Sequence, residues 1–259
     1  MNRIKFSLFN IFIISLLLFS CTSMDKITYI NNSTLGEWDK SPMPPKHHIE
    51  IGDNLMIRII VRNDEVNEMF NMENNSNSNN PTTTAANLYL NGYTVNQDGS
   101  ILLPNVGEVY VLNKNLEEAK KEITKKAREV LIDPVVIVKL ANFEFSILGE
   151  VSNPGRYPVY KDNITIFEAL AMAGDISDYG NLKKVKLIRS YKNQKQIYEI
   201  DLTCKLTLSS DYYYLRNEDL IYVQPLKYKS FRKSQSQVVL STLTTVAVLL
   251  NVYLNFNND

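Results

Sequence analysis

The sequence ends in a long run without a single charged side chain. Residues 234–258 contain no Lys, Arg, Asp or Glu, and residues 238–256 read VVLSTLTTVAVLLNVYLNF. A helix over those residues would extend about 28 Å at 1.5 Å per residue, close to the roughly 30 Å hydrocarbon core of a bilayer. We therefore predict a C-terminal transmembrane helix at 238–256, preceded by a linker at 227–237.

Polar side chains interrupt this run at helical spacing and gather on one side, with apolar side chains opposite them. A polar stripe suits one wall of a water-filled helical barrel. The alternative is a single anchor helix whose polar side chains bond their own backbone or a neighbouring helix. The pore-lining candidates are Ser241, Thr244, Thr245, Asn251 and Asn255, and the lipid-facing candidates are Val239, Leu243, Val246, Leu250 and Leu254.

The beginning of the chain has the pattern of a lipoprotein signal. A short basic head precedes the apolar stretch 11–19, and Ser20 stands directly before Cys21. The pattern predicts a signal peptide at 1–20 and lipidation of Cys21, while the alternative is an ordinary signal peptide with an incidental cysteine. Residues 21–48 then form a tether. Cys204 has no second cysteine left for a disulfide and is expected to be a small apolar side chain.

Composition argues against several functions. The chain has 28 Lys and Arg against 28 Asp and Glu, so it lacks the basic excess that nucleic-acid binding requires. Its two histidines, His47 and His48, are adjacent and would point opposite ways on a strand, so we predict no metal site and no cofactor. No nucleophile motif, phosphate loop or ligand cluster is present, so we predict that the protein is not an enzyme.

The first folded unit is predicted at 49–141. An alternating strand in HIEIGDNLMIRIIV is followed by an Asn-rich loop at 67–86, which cannot bury enough apolar area to order itself. Asp98-Gly99 predicts a tight hairpin turn. Apolar residues at spacings of three and four predict a helix over 116–131, ended by Asp133-Pro134. The β-branched stretch after it predicts a strand that is buried on both faces or central in its sheet.

The second folded unit is predicted at 142–226. Two strands flank the turn Asn153-Pro154-Gly155. A short helix follows, with Thr165 as N-cap, Glu168 at the capping-box position and Gly174 at its end. Three further strands complete the order of a β-grasp module. The fold class is therefore α+β, with two small domains and a C-terminal transmembrane helix.

In this order, the motifs resemble those of the outer-membrane polysaccharide export proteins. The first unit resembles their polysaccharide-export domain, and the second resembles one soluble-ligand-binding β-grasp (SLBB) domain. Each glycine or aspartate among these motifs stands at a turn, where a backbone role explains it. The motif residues are Gly52, Asp53, Asp98, Gly99, Pro104, Gly107 and Pro134 in the first unit, and Gly149, Pro154 and Gly155 in the second.

The resemblance implies a homo-oligomeric ring whose C-terminal helices form a barrel in the outer membrane, with lipid-anchored subunits and their folded domains in the periplasm. Capsular or exopolysaccharide would pass through it, fed by an inner-membrane polysaccharide co-polymerase coupled to a tyrosine kinase. The alternative is a periplasmic saccharide-binding or adaptor lipoprotein that forms no pore. Tyr212, Tyr213 and Tyr214 are candidates for stacking on sugar rings or for packing on a strand face.

Overall fold

A computed structural model describes most of the two predicted folded units. The described residues are 28–31, 42–62, 92–191, 194–227, 229, 241–242, 244–246, 248–249 and 253. The predicted signal peptide, Cys21 and the Asn-rich loop 67–86 lie outside them. Within the described residues, the buried side chains form two separate hydrophobic clusters, one for each unit.

The first unit combines two small sheets with one helix. A three-stranded sheet has the order β2-β1-β5, and a separate antiparallel pair joins β3 to β4. The element bounds are β1 Asn54–Ile60, β2 Tyr93–Thr94, β3 Ser100–Leu103, β4 Gly107–Tyr110, α1 Leu116–Ala127 and β5 Val135–Leu140. One face of β1 and β5 packs on α1, since their inward side chains share one buried cluster with Ala119, Ile123 and Ala127.

Helix α1 begins where predicted and ends earlier. Asn115 caps it, and the side chains of Asn115 and Glu118 each accept a bond from the other's backbone N–H, which satisfies two free amides of the first turn. The prediction that the helix continues to residue 131 was wrong. Arg128 is the C-cap, and Val130 is 55 % exposed in the turn that follows. The spacing of apolar residues alone did not show that the helix ends before Val130.

Two strand predictions for the first unit were also wrong. Asp98-Gly99 forms a tight turn, but β2 before it pairs with β1 while β3 after it pairs with β4, so the turn does not close a hairpin. The hairpin lies one turn later, between β3 and β4. Strand β5 is an edge strand buried on one face, since it pairs only with β1 and its side chains alternate between buried and exposed.

The second unit is one five-stranded sheet with a helix on one face. The strand order is β7-β6-β10-β8-β9, in which β10 runs parallel to β6 and the other neighbours are antiparallel. The element bounds are β6 Glu144–Gly149, β7 Gly155–Pro158, α2 Ile166–Met172, β8 Gly180–Tyr191, β9 Gln194–Ile200 and β10 Leu220–Pro225. The succession of two strands, one helix and three strands confirms the predicted order, and a 3-10 turn at Lys205–Ser209 precedes β10.

Local signals in the second unit predicted its structure well. Thr165 caps α2 and forms the predicted capping box with Glu168. Gly174 follows the helix with a φ of 74°, a conformation that glycine adopts without cost. Ile166 and Leu170 of α2 pack into the cluster that contains Phe145 of β6.

The C-terminal run is described only in part. Its described residues, between 241 and 253, are helical. Over the residues that the structure describes, no helix is long and apolar enough to cross a membrane, so the predicted transmembrane helix at 238–256 was not found there. Much of that segment, including residues 238–240, 243, 247, 250–252 and 254–256, lies outside the described residues.

Candidate functional site

The first motif turn is held by a buried carboxylate. Asp53 is 6 % exposed, accepts a 2.9 Å hydrogen bond from the Glu50 amide, and lies 2.6 Å from Nε2 of His47. Gly52 has a φ of 89°, and its amide donates to the Val95 carbonyl. Because Val95 in turn donates to the Asp53 carbonyl, this turn is fixed to the segment that enters the second motif.

The second motif turn has the same construction. Asp98 accepts bonds from the amide and the hydroxyl of Ser100, at 3.0 and 2.8 Å, and these bonds hold the pKa of its carboxyl below the ordinary value. Gly99 has a φ of 81°, and a Cβ there would lie 2.6 Å from Cβ of Leu112. The structure brings these two turns side by side through Val95, and each is explained by backbone geometry.

The remaining motif residues also lie at bends. Pro104 and Gly107 bound the β3–β4 turn, and Pro134 is buried just before β5. Pro154 lies in the connection between β6 and β7, and Gly155 after it pairs with Ile147 of β6. Gly149 ends β6 with a φ of 94°, and a Cβ there would lie 2.1 Å from the Val223 carbonyl oxygen, so only glycine lets β10 approach this closely.

These turns do not converge on a pocket for chemistry. The Asp53 carboxylate bonds to the Glu50 amide and to His47, and the Asp98 carboxylate bonds to Ser100. Among the residues described, no group of three or more His, Cys, Asp and Glu could hold a metal ion. The motif residues therefore hold turns within the two domains.

The three consecutive tyrosines pack mostly on other rings. Tyr212 lies 4.9 Å from Tyr198 between ring centroids, and Tyr213 lies 6.3 Å from Phe167 and 4.9 Å from Tyr214. All three are half-buried. Burial and the neighbouring Tyr214 and Glu168 raise the pKa of Tyr213, so its hydroxyl stays protonated at neutral pH. This arrangement favours the packing interpretation over a flat platform for sugars.

A shallow basic depression runs along the exposed face of α1. Its lining residues are Glu117, Lys120, Lys121, Thr124, Lys125 and Arg128. Four cations and one carboxylate leave a local positive excess, although the whole chain is neutral. Such a surface attracts anionic groups.

A buried ion pair in the second unit was missed from the sequence. Arg189 of β8 and Asp219 are 5 % and 1 % exposed, and the guanidinium donates two bonds of 3.0 and 2.7 Å to the two carboxylate oxygens. Arg189 also donates to the Tyr214 carbonyl, while the Arg216 amide donates to Asp219. The pair fixes the tyrosine segment against the sheet, and the 30-residue separation of its members left no local sequence signal.

Part of the predicted pore face is described. The Thr244 and Thr245 hydroxyls both donate to the Ser241 carbonyl, at 2.9 and 2.7 Å, which is the backbone bonding that the anchor-helix alternative requires. Val246, a lipid-facing candidate, is helical and exposed. Asn251, Asn255, Val239, Leu243, Leu250 and Leu254 lie outside the described residues.

Comparison with known proteins agrees with the two-unit division. A family model described as polysaccharide biosynthesis/export protein matches residues 41–141, and an SLBB domain model matches residues 144–223. We call these segments the export domain and the SLBB domain.

Curated relatives match over part of the chain. The EPS I polysaccharide export outer membrane protein EpsA of Ralstonia nicotianae is 31 % identical over 107 residues, which is 40 % of this chain and 28 % of EpsA. The exopolysaccharide production protein ExoF of Rhizobium meliloti is 36 % identical over 88 residues, which is 32 % of this chain and 21 % of ExoF. The matched region is thus about a quarter of each relative's length. With its export domain followed directly by an SLBB domain, the chain belongs to the family of outer-membrane polysaccharide export proteins.

Proposed function

We propose that the chain is one subunit of an oligomeric outer-membrane channel that exports capsular or exopolysaccharide as a passive conduit. The observation that carries the proposal is the uninterrupted order of export domain and SLBB domain over residues 41–223. Relatives that share part of this region are named as exopolysaccharide export or production proteins. The chemistry of synthesis, and the energy, would come from inner-membrane machinery that includes a co-polymerase and tyrosine kinase.

The outer face of the export-domain sheet supports self-association. Ile60 and Val135 are paired across β1 and β5, and both are exposed on the face away from α1. Ile137 and Met56 lie on the same face, at 39 % and 38 % exposure. Arg58 and Lys139 lie on this face as well, opposite Ile137 and Met56. Four apolar side chains on one solvent-facing sheet surface are typical of a protein contact. A ring of identical subunits would cover them.

Both ends of the chain would attach the subunit to the outer membrane. Acylated Cys21 supplies a lipid anchor, and the helix at 238–256 supplies one wall of a barrel, with its Ser, Thr and Asn side toward water and the folded domains in the periplasm. A hydrated lumen lets a hydrophilic polymer cross without losing its water. This mechanism needs no catalytic group and no cofactor.

The oligomer is tested by the mass of the full-length protein in mild detergent, measured by light scattering. We expect a ring several times heavier than the 29.7 kDa subunit. Ile137→Asp should reduce the mass toward that of one subunit with an unchanged circular dichroism spectrum, because a charge would be buried in the subunit contact. Ile197→Asp, at a 63 % exposed position on edge strand β9, is the matched control. A monomeric wild-type protein would contradict the ring.

The conduit is tested by surface polysaccharide. Removing residues 237–259 should abolish polysaccharide at the cell surface while the folded domains stay in the periplasm. Replacing Ser241, Thr245 and Asn251 with leucine should impair export, because the polar lining of the lumen is lost. The variant should still attach to the membrane. Normal export by the truncated protein would overturn the channel, and normal export by the leucine variant would favour a plain anchor helix.

A periplasmic saccharide-binding or adaptor lipoprotein is the second candidate function. The basic depression on α1 favours it, because clustered cations suit an acidic polymer or an acidic partner surface. It predicts a monomer or dimer in the same light-scattering experiment, and surface polysaccharide that does not depend on residues 237–259.

A further inference from the structure

The basic depression on α1 contains cations without a counter-charge. Lys121, Lys125 and Arg128 are exposed, and none of the three forms an ion pair with any residue that the structure describes. Lys120, the fourth cation of the lining, lies 3.9 Å from Glu117, but both side chains are exposed to water, so this contact offsets little of its charge. The depression therefore keeps most of its positive charge.

The lysines on either side of the depression are paired. Nζ of Lys126 lies 2.7 Å from a carboxylate oxygen of Glu129, and Nζ of Lys114 lies 3.7 Å from one of Glu122. The carboxylates around α1 are thus placed against the flanking lysines. The cations without such a partner are collected on one side of the helix.

The stability of α1 does not explain this arrangement. Lys121 and Lys125 are four residues apart, and Arg128 follows three residues later, so their side chains are neighbours on the helix surface. Like charges at these spacings destabilise a helix. The helix dipole favours cations in the last turn, but Lys121 lies in the middle of the helix. A cluster that costs helix stability indicates an anionic ligand from outside the helix.

The lining of the depression indicates the kind of ligand. Its six residues are charged or carry a hydroxyl group, and none of them is apolar. Specific protein contacts have an apolar core, which this lining does not offer. The row from Lys121 to Arg128 extends about 10 Å along the helix axis, so it can contact several units of an extended polymer at once. An extended chain with repeated negative charges fits this surface best.

We propose that the polymer exported by the channel is an acidic polysaccharide, and that the basic depression contacts its anionic groups. This rests on the proposed export function. Contacts between exposed charges are individually weak, so the polymer can be held near the surface and still move on. The Debye length is about 8 Å at physiological ionic strength, so the attraction acts on a polymer that passes close to α1.

Binding of two dextrans of equal chain length tests the contact. Fluorescently labelled carboxymethyl-dextran carries carboxylates on the same backbone as neutral dextran, and fluorescence anisotropy measures its binding to the full-length protein in mild non-ionic detergent. We expect carboxymethyl-dextran to bind at least about tenfold more tightly than dextran at low salt. The difference should shrink as the ionic strength rises from about 0.01 M to about 0.15 M, because the Debye length falls from about 30 Å to about 8 Å. Equal binding of the two dextrans at low salt would overturn the proposal.

Two triple variants locate the contact. The depression variant carries Lys121→Gln, Lys125→Gln and Arg128→Gln. The control variant loses the same number of charges at lysines that already pair with carboxylates, through Lys114→Gln, Lys126→Gln and Lys139→Gln.

The depression variant should bind carboxymethyl-dextran about tenfold more weakly than the wild-type protein, because three exposed charge contacts are lost. Glutamine forms helices as readily as lysine, so the circular dichroism spectrum should not change. The control variant should bind within about twofold of the wild-type protein. Equal losses in the two variants would show that only the net charge matters, and would overturn the depression as the site.

Two further measurements test the class of ligand. Poly-L-glutamate that binds more tightly than carboxymethyl-dextran of equal charge would overturn the polysaccharide in favour of an acidic protein. In cells, the surface polysaccharide that is lost when residues 237–259 are removed should bind to an anion-exchange resin, and a neutral polymer would overturn the proposal. Normal export by the truncated protein would overturn the channel, whereas binding of carboxymethyl-dextran through the three cations would still establish the anion contact.

Discussion

The export domain and the SLBB domain bury their sheets in different ways. In the export domain, β1 and β5 pack on α1 with one face and expose aliphatic side chains such as Val135 on the other. In the SLBB domain, the outward side chains of the central strands, including Lys186 and Tyr222, are half-buried, and a buried ion pair joins β8 to the segment before β10. The SLBB domain thus covers more of its sheet and contacts residues 28–31 and Lys229, while the export domain exposes aliphatic side chains on one face of its sheet.

The largest expected effect comes from breaking the buried Arg189–Asp219 ion pair of the SLBB domain. Asp219→Ala leaves the Arg189 guanidinium buried without its carboxylate, so we expect the free energy of unfolding to fall by about 3–5 kcal/mol. Urea unfolding of the full-length protein in mild detergent measures the loss, and hydrogen exchange followed by mass spectrometry assigns it to a domain.

Asp162→Ala is the matched control for that variant. It removes the exposed Lys139–Asp162 pair, whose side chains are 53 % and 63 % exposed, and should cost less than about 1 kcal/mol. Similar losses in the two variants, or faster exchange in the export domain after Asp219→Ala, would contradict the view that the buried pair holds the SLBB domain together.

A smaller effect is expected from replacing one glycine in each domain with alanine. Gly149 and Gly107 both have positive φ, at 94° and 96°, so alanine is strained at either position by about 1–2 kcal/mol. A Cβ at Gly149 would also meet the Val223 carbonyl oxygen at 2.1 Å, whereas a Cβ at Gly107 has nothing within 4 Å. Adding overpacking of about 1–3 kcal/mol, we expect Gly149→Ala to cost about 2–5 kcal/mol.

Thermal unfolding of these two alanine variants measures the difference. The prediction is that Gly149→Ala lowers the melting temperature clearly more than Gly107→Ala. Equal shifts would mean that β6 and β10 can separate without cost, and that the SLBB sheet is no more tightly closed than the export-domain hairpin.

Short-range signals in the sequence predicted much of both domains. The capping box of Thr165 and Glu168 involves residues three apart, and Asn153 and Pro154 lie at the predicted bend between β6 and β7, although Gly155 begins β7 without a positive φ. These choices are made locally, so neighbouring residues are enough to predict them. The element order that they define was also enough to suggest the family.

Contacts between distant segments were not predictable in this way. Strand β10 inserts between β6 and β8 because the summed packing of many distant side chains favours it, and no residue in LIYVQP specifies its neighbours. The docking of Tyr29 on Asp175 was missed for the same reason, since residues 21–48 were predicted only as a tether. Asp98-Gly99 predicted a turn correctly, but which strands pair around it depends on the whole sheet.

The smallest expected effect is a loss of stability in acid at the capping box of α2. Helix α1 of the export domain has a capping box of the same kind. Hydrogen bonds from Lys161 and from the Thr165 amide lower the pKa of Glu168 below its ordinary value of 4.5. A carboxyl whose pKa is lowered by folding stabilises the protein above its unfolded pKa, and that stabilisation is lost as the pH falls through the lowered value. Glu168 and Lys161 are 47 % and 52 % exposed, so their pair contributes at most about 1 kcal/mol at neutral pH.

Glu168→Gln should therefore lower the urea midpoint slightly at pH 7, and the difference from wild type should shrink as the pH falls below 4.5. Glutamine still serves in a capping box, so the loss reports mainly the charge that faces Lys161. Glu118→Gln in α1 is the matched substitution in the other capping box. A wild-type advantage over Glu168→Gln that stays constant from pH 7 down to strong acid would show that the Glu168 charge does not stabilise α2.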